Sequence, residues 1–416
     1  MSYHAFVRNR VLVPACLAAL AVLAYLPLLR QPLVEDDYPL LVMVRDSGMQ
    51  VVSHPIYAVR ATSLLLMDAI YDAFGAKAMP FYCSMIVLHI LNTWLVYALG
   101  GWPTIGYRVS AWAAVFFAVC EMHQEAVMWV ASANEAMQFL FGIGALVCWL
   151  RFLYRGGGGW LAASIAAFVG AIFSKESAVI VLPLLALPLV FDPALRRRAV
   201  WLAPFCAIAG LAVWRVLDTR AFSFRFNDGS FSLQAPFWLT WPVSFARLFW
   251  FWGLLAVLAI LWTKPARWRS TLAIGLIWAG IGLAPYSFLT YSTRIPSRQT
   301  YLASAGVALI VGCAFAAMAE RRNGRRLVAV AAAVMIAHNA GYLWIKKRAQ
   351  FLERAAPTEE LIVLARRTRG PIFVRCFPRT DLIANAAVDL MAGRKDLIWD
   401  PAQSGRAEAT YCYEGK

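Results

Sequence analysis

Residues 11–40 read VLVPACLAALAVLAYLPLLRQPLVEDDYPL: an apolar run of about twenty residues, enough to cross a bilayer as a helix, leads into three consecutive carboxylates, Glu35, Asp36 and Asp37. Acids beside a membrane are costly unless they stay hydrated or have a task. The apolar half of this stretch decides the fold class, because similar runs recur along the chain. With 61% hydrophobic residues, 15% charged residues and 17 Trp in 416 residues, there is more apolar surface than a soluble protein of this length can bury. The mean hydropathy is +0.61.

Runs of this kind fall at 11–30, 81–100, 106–121, 135–154, 160–174, 177–191, 199–217, 240–262, 270–289, 301–319 and 326–345, which predicts about eleven transmembrane helices. The net charge of +16 raises a nucleic-acid role, but the Lys and Arg cluster in short segments between apolar runs. With the N-terminus in the cytoplasm, Arg8, Arg10, Arg151, Arg155, the RRR at 196–198, KPARWR at 264–269 and RRNGRR at 321–326 all lie on the cytoplasmic side. The basicity is therefore topological. Lys346, Lys347 and Arg348 run against this pattern, since they follow the last span on the outer side. The first run has the positive start of a secretory signal, and is expected to be a retained span.

The outer side then receives 31–80, 122–134, the turn at 174–177, 218–239, 290–300 and everything from 346 onward. Residues 1–345 are expected to form the membrane domain and 346–416 a small α/β appendage. In the appendage PIFVRCFP 371–378 and DLIWD 396–400 have strand character, and DLIANAAVDLM 381–391 has helical spacing with Asp381 as cap. Cys376 and Cys412 are the cysteines in this soluble part, and an oxidising periplasm would let them pair.

Polar residues of interest gather in the outer loops. The first holds Glu35, Asp36, Asp37, Asp46, His54 and Arg60, followed by an amphipathic stretch at 60–75 suited to lying on the membrane. The plain alternative for EDDYP is a solvated loop whose Asp caps a helix starting near Pro39. Glu121, His123 and Glu125 crowd the mouth of the third span; one residue separates His123 from Glu125, so a helix would turn them apart and a loop could bring them together. A divalent metal there is the lesser alternative, because spacing fixes no third ligand. FSKESA 173–178 places Lys175 and Glu176 in a turn with almost no loop, where Lys either snorkels or meets an anionic head group. Arg294 and Arg298 sit at an outer edge that the positive-inside rule would leave poor in Arg. His89 and Asn92, one turn apart in the second span, suit interhelical hydrogen bonds.

DDYP, Arg60 in VRATS, LHILN 88–92, HQEAVMW 123–129, SKE 174–176 and RQTYLASAG 298–306 occur in an order that resembles the GT-C superfamily of glycosyltransferases. Within it, the sequence is most similar to the transmembrane and tetratricopeptide-repeat-containing O-mannosyltransferases and their bacterial relatives, over about residues 11–345 and without the repeats. The resemblance implies a bacterial inner-membrane enzyme. It would transfer one sugar, with inversion, from a polyprenyl-phosphate donor to a glycan, lipid or protein acceptor on the outer face. It implies Asp36 as the essential acid beside Asp37, and aligns Glu125, His123, Arg298 and Tyr301 with family motifs; Ala61 replaces the proline that follows the Arg in that family. Sugar transfer from a phosphate needs a base for the acceptor proton and cations for the leaving phosphate. Asp36 is then the base, Asp37 and Glu125 orient the substrates, and Lys175, Arg298 and Arg60 hold the donor phosphate. His123, Glu176 and Tyr301 complete the substrate contacts, with no resident metal assigned. A polymerase or ligase using diphosphate-linked glycans and a lipid-linked sugar flippase are the competing classes.

Overall fold

The computed structural model describes residues 3–53, 58–218 and 229–415. His54 and residues 219–228 of the fourth outer loop lie outside them. The chain is a polytopic helical membrane protein with a three-stranded sheet near its C-terminus. Each of the apolar runs in the sequence is helical. Among the described residues seven helices are long and apolar enough to cross a membrane, one bent pair would make an eighth span, and three more apolar helices are shorter.

Seven helices precede the glycine turn at Gly156 and Gly157: α1 (Tyr3–Tyr25), α2 (Asp37–Ser47), α3 (Ala61–Phe74), α4 (Ala78–Ala98), α5 (Gly106–Val119), α6 (Gln124–Met128) and α7 (Ala133–Arg155). Then follow α8 (Gly158–Ile172), α9 (Val181–Phe191), α10 (Ala203–Asp218), α11 (Phe237–Phe249), α12 (Trp252–Thr263), α13 (Trp268–Leu283), α14 (Tyr301–Ala319), α15 (Gly324–Tyr342) and α16 (Arg348–Arg367). The α11–α12 pair bends by 73° at Phe251, whose φ of 57° lies in the left-handed region that a continuing helix cannot use.

Helix α14 is the axis of the bundle and is buried nearly all round. Small residues make this possible: a Cβ on Gly312 would lie 2.2 Å from the Val109 carbonyl oxygen of α5, and one on Gly306 would lie 2.4 Å from that of Gly275 in α13. A buried polar network ties the surrounding helices. His89 Nε2 lies 3.0 Å from the Ala118 carbonyl, which can only accept, so Nδ1 accepts from the Tyr301 hydroxyl at 2.7 Å. Asn92 donates to the Ala136 carbonyl and to the Tyr301 hydroxyl. His89 and Asn92 thus bridge α4 to α5, α7 and α14.

The loops assigned to one side by the Arg pattern meet one another. Arg108 pairs with Glu320, Arg267 bonds the Pro103 carbonyl, Arg321 bonds that of Thr263, and Tyr154 bonds Asp192. At the opposite end Gln31 bonds the Met128 carbonyl, Ala131 bonds Asp37, and Thr62 bonds Ser174.

Helix α15, a π-helical turn at Leu343–Lys347 and α16 run on as one helical stretch of 44 residues, Gly324–Arg367. At 1.5 Å per residue this is roughly 66 Å, about twice the hydrocarbon thickness, so its second half projects from the bundle. The appendage therefore begins with a helix, α16. Strands β1 (Ile372–Cys376), β2 (Leu397–Ile398) and β3 (Ala409–Cys412) form a parallel sheet in the order β2-β1-β3, with α17 (Asp381–Ala392) between β1 and β2. β3 was not anticipated. Thr380, not Asp381, occupies the cap position of α17. Leu361, Ile372, Val374, Ala384, Val388 and Tyr411 form a second hydrophobic core, separate from that of the bundle. A disulfide joins Cys376 to Cys412.

Candidate active site

The acidic motif sits where the chain turns from the first span into α2. Glu35 has φ of 48°, a left-handed conformation that costs a non-glycine residue about 1–2 kcal/mol. Two ion pairs hold it, to Arg354 of α16 and to Arg379 beyond β1 at 2.7 Å. The turn sends the next two side chains in opposite directions. Asp37 is fully buried; its Oδ2 accepts from the Val34 N–H at 2.8 Å and its Oδ1 from the Ala131 N–H at 2.7 Å. Burial pushes its carboxyl up to about 7, against the pull of those two bonds. Asp36 is exposed, occupies the cap position of α2, and makes no capping bond. Partial desolvation and the neighbouring Glu35 raise its carboxyl above the usual range, while Arg298 and Arg354 oppose the rise.

Asp36 opens into a cavity of about 720 Å³ whose lining includes Arg60, Glu135, Lys175, Arg298 and Trp129. Lys175 is buried and paired with Glu135 from the first turn of α7, with its ammonium 4.7 Å from the centre of the Tyr286 ring. Arg60 pairs with Glu176 at 3.3 Å. The short SKES turn is held against α3 by a Thr62 to Phe173 backbone bond and the Thr62–Ser174 hydroxyl pair. Leu382 and Ala386 of α17 close the cavity from the appendage side. That helix is anchored to α2 by Arg45–Asp389 at 2.8 Å, which holds the Asp389 carboxyl below its ordinary value.

A second cavity of about 710 Å³ lies alongside, and Tyr291 lines both. Glu125 lines the second one and accepts from the Arg298 backbone N–H at 3.2 Å. The Trp129 ring stands between two guanidinium groups, that of Arg298 at 4.8 Å and that of Arg354 at 4.6 Å from its centre. Its indole N–H donates to the Val34 carbonyl.

The residues singled out in the sequence thus divide. Asp36, Arg60, Lys175 and Arg298 share one cavity, with Glu176 behind Arg60; Glu125 faces the other. Asp37, His123 and Tyr301 line neither. His123 is fully buried, bonded to Ser304 and packed on Phe117 and Tyr301, so the helical turn does separate it from Glu125. Sequence reasoning missed Glu135, Arg354 and Arg379. An acid placed inside an otherwise apolar run was the available signal for Glu135; the two Arg come from the appendage side, where nothing local marked them. Among the described residues no group of three His, Cys, Asp or Glu side chains gathers as a metal site would require.

No family model matches the chain, and no curated protein matches it. Solved structures do. ArnT from Cupriavidus metallidurans bound to undecaprenyl phosphate aligns at a TM-score of 0.56 and 15% identity, over 97% of this chain and 90% of that one. Its apo state gives 0.59 and 14% over 95% and 89%. The Archaeoglobus fulgidus oligosaccharyltransferase AglB, in complex with an inhibitory peptide and a dolichol-phosphate, gives 0.54 and 12%, over 94% of this chain but 64% of AglB. The narrower likeness to the tetratricopeptide-containing enzymes has no counterpart among these. From the first span through the appendage, the chain shares the fold of ArnT and AglB.

Proposed function

We propose that the chain is a membrane glycosyltransferase that moves one sugar from a polyprenyl-phosphate carrier to an acceptor hydroxyl on the extracytoplasmic face. The observation that carries this is Asp36: an exposed carboxylate with no capping bond, facing a cavity shared with Arg60, Lys175 and Arg298. The acceptor O–H gives its proton to Asp36 as its oxygen bonds the anomeric carbon. The bond from that carbon to the phosphate oxygen breaks on the opposite side, which inverts the centre. The leaving phosphate takes the electron pair, and Arg298 stabilises it with Lys175 and Arg60. Undecaprenyl phosphate in ArnT and dolichol-phosphate in AglB support a carrier of this class.

Asp37 acts in this scheme by fixing the loop that carries Asp36, and Tyr301 and His123 act by packing beneath it. Glu125 holds the Arg298 backbone in place. Glu176 orients Arg60. Residues 1–345 form the catalytic membrane domain and 346–416 its extracytoplasmic appendage; the Cys376–Cys412 disulfide supports that side as oxidising. The purified protein, supplied with a polyprenyl-phosphate sugar and a mixed pool of envelope acceptors, should release polyprenyl phosphate in step with sugar transfer. Sugar movement across the bilayer with the carrier bond intact would instead mean a flippase, and consumption of only diphosphate-linked chains a polymerase.

A further inference from the structure

The Glu125 cavity is more cationic than the transfer chemistry requires. Arg247, Arg294, Lys347, Arg354 and Arg379 line it, against the carboxylates of Glu125 and Glu353. Glu35 compensates Arg354 and Arg379. Among the described residues Arg247, Arg294 and Lys347 form no salt bridge. Lys347 is the most telling of these, because only 9% of it is exposed and its ammonium bonds a neutral amide, Gln350 Oε1, at 3.1 Å and lies 5.3 Å from the centre of the Tyr342 ring, while Glu121 and Glu125 act on it only from beyond ion-pair distance. A buried ammonium with no carboxylate in ion-pair contact is unfavourable unless something else supplies one. Topology gives no reason for these cations, since the positive-inside rule would place them at the other end of the bundle.

We infer that this cavity is a separate binding site for a phosphate group carried by the acceptor. Its guanidinium groups suit the geometry of phosphate oxygens, and Lys347 adds a point charge at the floor. The two cavities adjoin at Tyr291, so a phosphate held here leaves the rest of the acceptor free to reach toward Asp36. The acceptor role rests on the proposed transfer reaction; the phosphate site does not. The phosphate belongs either to a lipid head group or to a soluble phosphorylated molecule.

The test is direct binding to the full chain in nanodiscs of neutral phosphatidylcholine, by calorimetric titration. The probes are inorganic phosphate, dioctanoyl phosphatidic acid and, as the uncharged control, dioctanoylglycerol. Saturable binding of at least one phosphate probe, weakened by salt and lowered at least tenfold in the double variant Arg247→Gln/Arg294→Gln, is expected. Recovery of most of the affinity in Arg247→Lys/Arg294→Lys, which keeps the charge, is expected as well, and separates charge from packing. Preference for phosphatidic acid assigns a lipid head group, and equal or better binding of inorganic phosphate a soluble one. No binding, equal binding of dioctanoylglycerol, or binding unchanged in the Gln variant overturns the site. Transfer activity is measured separately: an active Asp36→Asn protein overturns the proposed reaction without touching the binding result.

Discussion

Asp36 and Asp37 are adjacent in the chain and face opposite ways, one exposed to a cavity and the other fully buried with a backbone N–H on each carboxylate oxygen. The left-handed Glu35 before them begins this divergence, and its two ion pairs to the appendage offset the backbone strain.

The same substitution should therefore have different consequences at the two positions. Asp36→Asn is expected to abolish transfer with thermal stability near wild type, because an amide keeps the shape but takes no proton. Asp37→Asn sets an NH₂ against one of two N–H donors and should cost about 1–3 kcal/mol of stability. Thermal unfolding and turnover of both variants decide it; equal stability loss in the two would contradict the division.

Asp37 should also leave a signature in the pH dependence of stability. Its carboxyl is raised to about 7 in the folded protein, above about 4 in an unfolded chain. The folded state then binds the proton more tightly between these values, so this group favours folding most below about pH 4 and progressively less as the pH rises toward 7. Unfolding of wild type minus Asp37→Asn, followed from pH 4 to 8, should show that decline. A difference that grows with pH would reverse the assignment.

Lys175 is bound to Glu135 inside the protein, so removing it does more than subtract a phosphate contact. Lys175→Ala should destabilise by about 3–5 kcal/mol, since it strands a buried carboxylate. Removing both partners in Lys175→Ala/Glu135→Ala should recover part of that loss. A double-mutant cycle on unfolding free energy measures the coupling, and strict additivity would mean that the pair does not act as one.

Trp129 offers a ring face to Arg298 and to Arg354, each interaction worth about 0.5–2 kcal/mol depending on solvation. Trp129→Leu should lower turnover about tenfold or more by freeing Arg298, whereas Trp129→Phe keeps a platform and should fall in between. Wild-type kinetics in the Leu variant would show that the stacking holds nothing in place.

A reporter enzyme active only outside the cytoplasm should work when fused after residue 360 and fail after 157 or 266, as the Arg-rich alternation requires. Activity at 266 would invert the bundle.

The membrane class, the apolar runs and the two ends of the bundle were legible in the sequence, because each rests on a local quantity: hydropathy over about twenty residues, or the sign of charge in a short loop. That Asp36, Arg60, Lys175 and Arg298 fall at one end of the bundle was legible for the same reason. Which of them meet was not. Asp37 looked like a twin of Asp36 until the Ala131 N–H, 94 residues away, claimed its carboxylate. His123 looked like a partner of Glu125 until Ser304 and Tyr301 drew it into the core. Lys175 lacked its Glu135, and Trp129 its two Arg, until distant segments of the chain packed together. A side chain's protonation and exposure depend on groups brought within a few ångströms by distant parts of the chain. Residue type and spacing determined that a polar site would form at this end of the membrane domain; only the packing of helices decided which acid faces it and which is sealed behind.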